Sequence, residues 1–115
     1  MKSILAIKSA LLYSIDGVGA LVKERAFRQE LLLGGVLAGI ESSIGNKSAL
    51  ILLYLLGSYL LILITECINS AIEAVIDRIG PERHLLSKKA KDLGSAAVFM
   101  ALIHFGIAWT ASWFI

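Results

Sequence analysis

The chain has 115 residues, 57% of them hydrophobic and only 17% charged, against roughly 25% charged in ordinary soluble domains. A soluble domain this small has too little interior to hide so much apolar surface, so a single-domain membrane protein is expected. The formal net charge of +2 is too small to suggest nucleic acid, and the lone Cys67 cannot form an intrachain disulfide.

Residues 2–25 place Ile4, Ile7, Leu11, Ile15, Val18 and Val22 at helical spacing, with Lys2, Lys8, Asp16 and Lys23 interspersed. This predicts an amphipathic helix lying in the membrane interface, broken or bent at Gly17 and Gly19. The stretch has no clean cleavage region and runs into charged residues, so no signal peptide is expected.

The first spanning helix is expected over residues 26–44. Its apolar centre, Leu31 to Ile40, is only about 15 Å of helix, half of what a bilayer needs. The polar ends, Arg28, Gln29 and Glu30 on one side and Glu41 on the other, then sit at the interfaces or against protein. Gly35 and Gly39 form a GxxxG pair that would admit another helix. A Ser/Gly/Asn turn follows. The second span is expected over 49–77 and is closed by Gly80-Pro81. A polar loop over 82–92 and a third span over 94–115 complete the chain. Trp109 and Trp113 near the end read as interfacial anchors. Small residues Gly94, Ala97 and Ala101 suggest self-association. His104 is expected to serve as an interhelical hydrogen-bond donor, and Cys67 to point away from the polar stripe.

Basic residues are distributed unevenly. Lys2, Lys8, Lys23, Arg25 and Arg28 lie toward the N-terminus, Arg78, Arg83, Lys88, Lys89 and Lys91 in or beside the second loop, and Lys47 alone in the first loop. The positive-inside rule then predicts a cytoplasmic N-terminus and second loop, with the first loop and C-terminus outside.

The chemistry is expected on the second span. No charged residue occurs from Ser48 to Thr65; then come Glu66, Asn69, Glu73 and Asp77. At about 100° per residue the three carboxylates fall within roughly 20° of one line, with Asn69 about 60° aside. Ionisable groups at membrane depth are costly and read by default as functional; the alternative is structural helix–helix pairing. Glu66 and Glu73 stand about 10.5 Å apart along the axis, too far to share one ion, which favours two roles. Glu73 and Asp77 have the hard oxygens that suit a divalent metal with phosphates. Glu66, deeper, is placed as a proton acceptor for a lipid headgroup, and Asn69 could hydrogen-bond a transferring group. No GxxxxGK[ST] loop is present, so phosphates would be held by metal, Lys91 and loop residues.

The segments Glu66-x-x-Asn69-Ser70-Ala71-Ile72-Glu73-Ala74-x-x-Asp77-Arg78, Lys91-Asp92-x-Gly94-Ser95-Ala96-Ala97-Val98 and Glu24-x-Ala26-Phe27-Arg28-Gln29-Glu30 resemble the small bacterial integral-membrane diacylglycerol kinases. The resemblance implies an all-α membrane protein with an N-terminal amphipathic surface helix and three transmembrane helices, assembled as a homotrimer in the bacterial cytoplasmic (inner) membrane. It implies transfer of the γ-phosphate of ATP, with Mg²⁺, to diacylglycerol to give phosphatidic acid. By the matching motif, Glu66 would be the general base. Glu24 and Glu73 would bind the metal. Tyr13, Glu82, Arg83, His84, Lys91 and Asp92 would join them around the nucleotide. Arg28, Gln29, Glu30, Asn69, Ser95 and Trp109 would serve the lipid and the reacting groups, and Asp77 would support the site. Ile15 and Asp16 depart from the Trp and Lys of the family pattern. An undecaprenol kinase of the same family is the near alternative. A small proton-coupled transporter using Glu66 is the alternative from another class, but it leaves Glu73, Asp77 and Lys91-Asp92 unexplained.

Overall fold

A computed structural model describes residues 1–115 as four helices and no strands: α1 (Lys2–Val22), α2 (Arg25–Ile44), α3 (Ala49–Ile79) and α4 (Leu85–Ala111). The chain is the all-α membrane protein that its composition predicts. By length and composition, α1, α3 and α4 could each cross a bilayer. In α2, Arg25, Arg28, Glu30 and Glu41 dilute the apolar run, but its 20 residues lie alongside α3 and share that helix's depth.

The bundle is α2, α3 and α4, with α3 and α4 forming the main interface. The buried residues of α3 are Leu55, Ser58, Ile62, Glu66, Asn69 and Ile76, the spacing of one helical face. That face meets Gly94, Ala101 and Ala108 of α4, which recur every seven residues. Small side chains at the contact let two helix backbones approach closely. The small residues read as a self-association signal are therefore largely committed within the chain.

Both helix pairs are antiparallel. The Tyr54 and His104 rings meet edge to face, with centroids 5.9 Å apart, while Asp77 reaches Lys91 at the other end. Along α2, Tyr59 meets Glu30, whereas Leu52 and Leu55 lie near Glu41 across an apolar crevice. His104 thus makes an aromatic contact rather than the expected interhelical hydrogen bond. Cys67 is exposed, off the buried face.

Helix α1 stands apart. Only Leu21 of its residues is buried, and the molecule measures 50 × 45 × 21 Å. Three packed helices, each about 10–12 Å across, would be only about 20–25 Å wide, so the 45 Å dimension requires α1 to run off sideways. Such a path suits a helix in the interface plane. It is unbroken through Gly17 and Gly19, contrary to the expected bend. Nothing crowds either glycine, and the apolar residues around them are adequate helix formers.

The expected loop over 82–92 is mostly helix. The non-helical link is Gly80–His84, and α4 begins at Leu85. His84 Nδ1 accepts the Leu86 backbone N–H at 3.0 Å, capping the new helix, and Lys88 pairs with Asp92 at 2.6 Å across one turn. Polarity made this segment look like a loop, but it holds no Gly or Pro from Glu82 to Leu93. The true break lies earlier. Gly80 has φ 147°, a backbone conformation that favours glycine.

At the far end, Lys47 and the two tryptophans form a polar cluster. Lys47 lies 4.3 Å from the Trp113 ring centroid, 3.7 Å from Glu41 and donates to the Ser112 carbonyl at 2.6 Å. Trp109 and Trp113 meet edge to face at 5.6 Å. These contacts suit side chains with an apolar body and a polar handle at a membrane surface.

Candidate active site

The polar half of the α3 stripe opens into a pocket of about 350 Å³ lined by Glu24, Ala26, Glu30, Glu66, Asn69, Ser70, Glu73, Ser95 and Val98. Three elements build it. The turn before α2 supplies Glu24 and the first turns of α2 supply Glu30; α3 supplies Glu66, Asn69, Ser70 and Glu73; α4 supplies Ser95. Four carboxylates from segments some forty residues apart thus face one space.

Depth separates them. Glu66 is only 6% exposed and Asn69 9%, whereas Glu24 and Glu73 are exposed at the rim. Asn69 Nδ2 donates to Glu73 Oε1 at 3.2 Å, which orients the rim carboxylate. One Glu30 carboxylate oxygen and Asn69 Oδ1 are buried without a hydrogen-bond partner. Glu30 lines the pocket, and its unpartnered oxygen asks for a donor that a hydroxyl-bearing ligand would supply, whereas Asn69 Oδ1 is packed against Gly94 of α4.

About one helical turn beyond Glu73, a second cleft of about 610 Å³ is lined by Asp77, Glu82, Arg83, His84, Ser87, Lys88, Lys91 and Asp92, among others. Lys91 Nζ stands 3.8 Å from Asp77 Oδ1. Arg83, His84, Lys88 and Lys91 bring positive charge to this cleft, and Asp77, Glu82 and Asp92 balance part of it. A cation-bearing cleft beside a carboxylate pocket can take an anion and aim its end at the carboxylates.

The structure therefore divides the expected residues. Glu24, Glu30, Glu66, Asn69, Glu73 and Ser95 share the carboxylate pocket. Asp77, Glu82, Arg83, His84, Lys91 and Asp92 share the cationic cleft. Glu73 and Asp77 line different spaces: Asp77 stands 3.8 Å from Lys91 in the cleft, and Glu73 lines the pocket with Glu24, the pair that the family motif assigns to the metal. Arg28 and Gln29 are exposed on α2, with Arg28 Nη1 donating to the Lys23 carbonyl at 2.9 Å. Tyr13 is 73% exposed on α1 and lines neither space. Trp109 is fourteen residues past Ser95 on α4, about 21 Å along the helix, at the opposite end of the bundle. Helical rise alone separates it from the carboxylates.

No motif in the sequence gives a role to Tyr59, whose hydroxyl donates to the Glu30 carbonyl at 3.1 Å, and Ser70 is named only within the motif, although it lines the pocket. The signal was present: Tyr59 precedes Glu66 by seven residues and so shares its face of α3.

Carboxylate oxygen is the donor type that suits Mg²⁺. No three His, Cys, Asp or Glu side chains converge tightly enough to enclose an ion. The donor set fits a metal that takes the rest of its shell from phosphate oxygens and water, the usual habit of Mg²⁺.

Fold and site together define an integral-membrane enzyme whose acidic centre lies where the bundle meets a charged cleft. A family model described as prokaryotic diacylglycerol kinase matches residues 12–113. The diacylglycerol kinase of Haemophilus influenzae is 46% identical over 98 residues, covering 84% of this chain and 82% of that one. That of Escherichia coli K12 is 46% identical, covering 84% and 80%. That of Pseudomonas aeruginosa is 44% identical over 108 residues, covering 90% and 84%. The chain belongs to the prokaryotic diacylglycerol kinase family, and it is a membrane-bound kinase.

Proposed function

We propose that this protein transfers the γ-phosphate of ATP to the free hydroxyl of diacylglycerol, giving phosphatidic acid and ADP. The observation that carries this reading is the carboxylate pocket one turn from the cationic cleft. Relatives named for diacylglycerol supply the acceptor.

In this reading Glu66 accepts the proton of the acceptor hydroxyl. The freed oxygen attacks the γ-phosphorus, the bond from that phosphorus to the β–γ bridging oxygen breaks, and ADP leaves. Burial of Glu66 keeps water from competing with the lipid alcohol. Asn69 and Ser95 orient the reacting groups, and Glu30, with Arg28 and Gln29 above it, serves the acceptor side. Lys91, Arg83 and His84 attract and position the phosphates and nucleotide, with Glu82 and Asp92 lining the same cleft and Asp77 holding Lys91. Glu24 and Glu73 would hold Mg²⁺, which when bound would supply positive charge beside the transferring phosphate. Tyr13 serves the nucleotide only from a neighbouring protomer. A homotrimer fits the open GxxxG face, since neither Gly35 nor Gly39 has a neighbour that a Cβ would meet.

The membrane is the bacterial cytoplasmic membrane, with the N-terminus and the α3–α4 link in the cytoplasm and the C-terminus outside. Support comes from the bundle itself. Arg25, Arg28, Arg78, Arg83, Lys88, Lys89 and Lys91 gather at one end, and Lys47 alone stands at the other.

The test is to incubate purified protein with labelled ATP, Mg²⁺ and either diacylglycerol or undecaprenol. Label in phosphatidic acid is the expected result. Label only in the undecaprenyl product would transfer the protein to that acceptor, and label in neither would end the kinase reading.

A further inference from the structure

We propose that Tyr59 and Gly34 form a latch that positions Glu30 of α2 over Glu66 of α3 and thereby sets the affinity for the lipid acceptor. The proposal rests on the reading that Glu30 serves the acceptor side.

Apart from the carboxylate pocket, α2 is loosely held. Its buried side chains are Phe27 at one end and Glu41 at the other, and between them a crevice of about 280 Å³ opens against α3 and α4. Tyr59 crosses this gap. Its hydroxyl donates to the Glu30 carbonyl at 3.1 Å, the only side-chain hydrogen bond between α2 and α3. That carbonyl is also the one that helix geometry assigns to the Gly34 N–H, so the hydroxyl occupies its second lone pair. The ring lies against Gly34 so closely that any Cβ there would collide with its tip. Its other side meets Phe105 of α4, with ring centroids 6.1 Å apart. Tyr59 therefore bridges all three bundle helices at one level. Below it lies the apolar crevice; two turns along α3 lies Glu66. A glycine opposite a tyrosine is a matched small–large pair: a Cβ at position 34 must displace the tip of the Tyr59 ring and with it the hydroxyl that holds Glu30. Tyr59 touches no reacting group in the proposed mechanism, so it is a positioning residue.

The test compares Tyr59→Phe, which keeps the ring and removes the hydroxyl, with Gly34→Ala, which displaces the ring. Initial rates are measured with diacylglycerol varied at saturating MgATP and with MgATP varied at saturating lipid. Hydrogen exchange of the α2 amides is followed on the same samples. The expected result for Tyr59→Phe is a lipid KM raised about two- to tenfold, the equilibrium weight of one hydrogen bond. The KM for MgATP should stay within about twofold, and exchange around Glu30–Gly34 should quicken. Gly34→Ala should act in the same direction, and the double variant should be about as impaired as the worse single variant and clearly less than the sum of the two, because both break one contact. An unchanged lipid KM in Tyr59→Phe overturns the proposal, as does an equal rise in the KM for MgATP. Glu30→Gln separates the two ideas: if it leaves the lipid KM unchanged while Tyr59→Phe quickens exchange, the acceptor role of Glu30 has failed rather than the latch. If exchange is unaltered in Tyr59→Phe, the latch itself has failed.

Discussion

Gly94 of α4 lies directly against the side-chain amide of Asn69 on α3, so closely that a Cβ at position 94 would collide with Asn69 Oδ1. The same Asn69 holds Glu73 through its Nδ2. One backbone approach therefore sets both the spacing of α3 and α4 and the aim of a rim carboxylate.

Gly94→Ala should accordingly damage stability and activity together. The added methyl group must push α4 outward or turn Asn69 away, at about 1–3 kcal/mol for overpacking. Thermal inactivation should come earlier and turnover should fall at least about tenfold. A variant with normal turnover and normal thermal stability would show that α3 and α4 do not meet closely at Gly94 and Asn69.

Glu66→Gln keeps the shape of the buried side chain and removes its capacity to accept a proton. Membrane insertion should persist, while turnover falls about 10²–10⁴-fold, the range for loss of a general base. Near-normal turnover in the purified variant would assign the proton to another group.

Glu73→Gln and Glu24→Gln should each raise the Mg²⁺ concentration needed for half-maximal rate, by about tenfold or more if each supplies one charged oxygen. The check is a metal titration at fixed ATP. Curves that overlay those of the unaltered protein would remove both residues from the metal's shell.

Lys91→Ala should raise the KM for MgATP severalfold and leave the lipid KM unaltered. Its pair with Asp77 is exposed, with side-chain accessibilities of 48% and 74%. Exposed pairs are worth only about 0–1 kcal/mol, so melting should shift little. A large loss of stability with unchanged nucleotide affinity would make the pair structural.

Much of this was legible in the sequence. The helices follow from local pattern. An uncharged run from Ser48 to Thr65 can only be a buried or lipid-facing helix, and the 66–69–73 spacing puts its polar groups on one face. The start of α4 is not legible, because Lys88, Lys89, Lys91 and Asp92 have loop composition, whereas i,i+4 pairing lets charged residues form the first turns of a helix. The motif that names Trp109 carries no depth, and helical rise sets this residue beside Glu41 and Lys47 at the other end of the bundle.

Helical period and the penalty for charge in lipid act within a single segment, so the helices and the shared face of Glu66, Asn69 and Glu73 can be read from the residues alone. Which segments meet follows from the packing of the helices. This packing lays α2 antiparallel to α3 so that Glu24 and Glu30 join Glu66 and Glu73, turns Asp77 away to Lys91, and sets Tyr59 against Gly34. Lipid and a neighbouring helix are equally apolar partners for a leucine. The hydrophobic pattern therefore cannot choose between them, and close packing of small residues such as Gly34 and Gly94 against specific larger ones can.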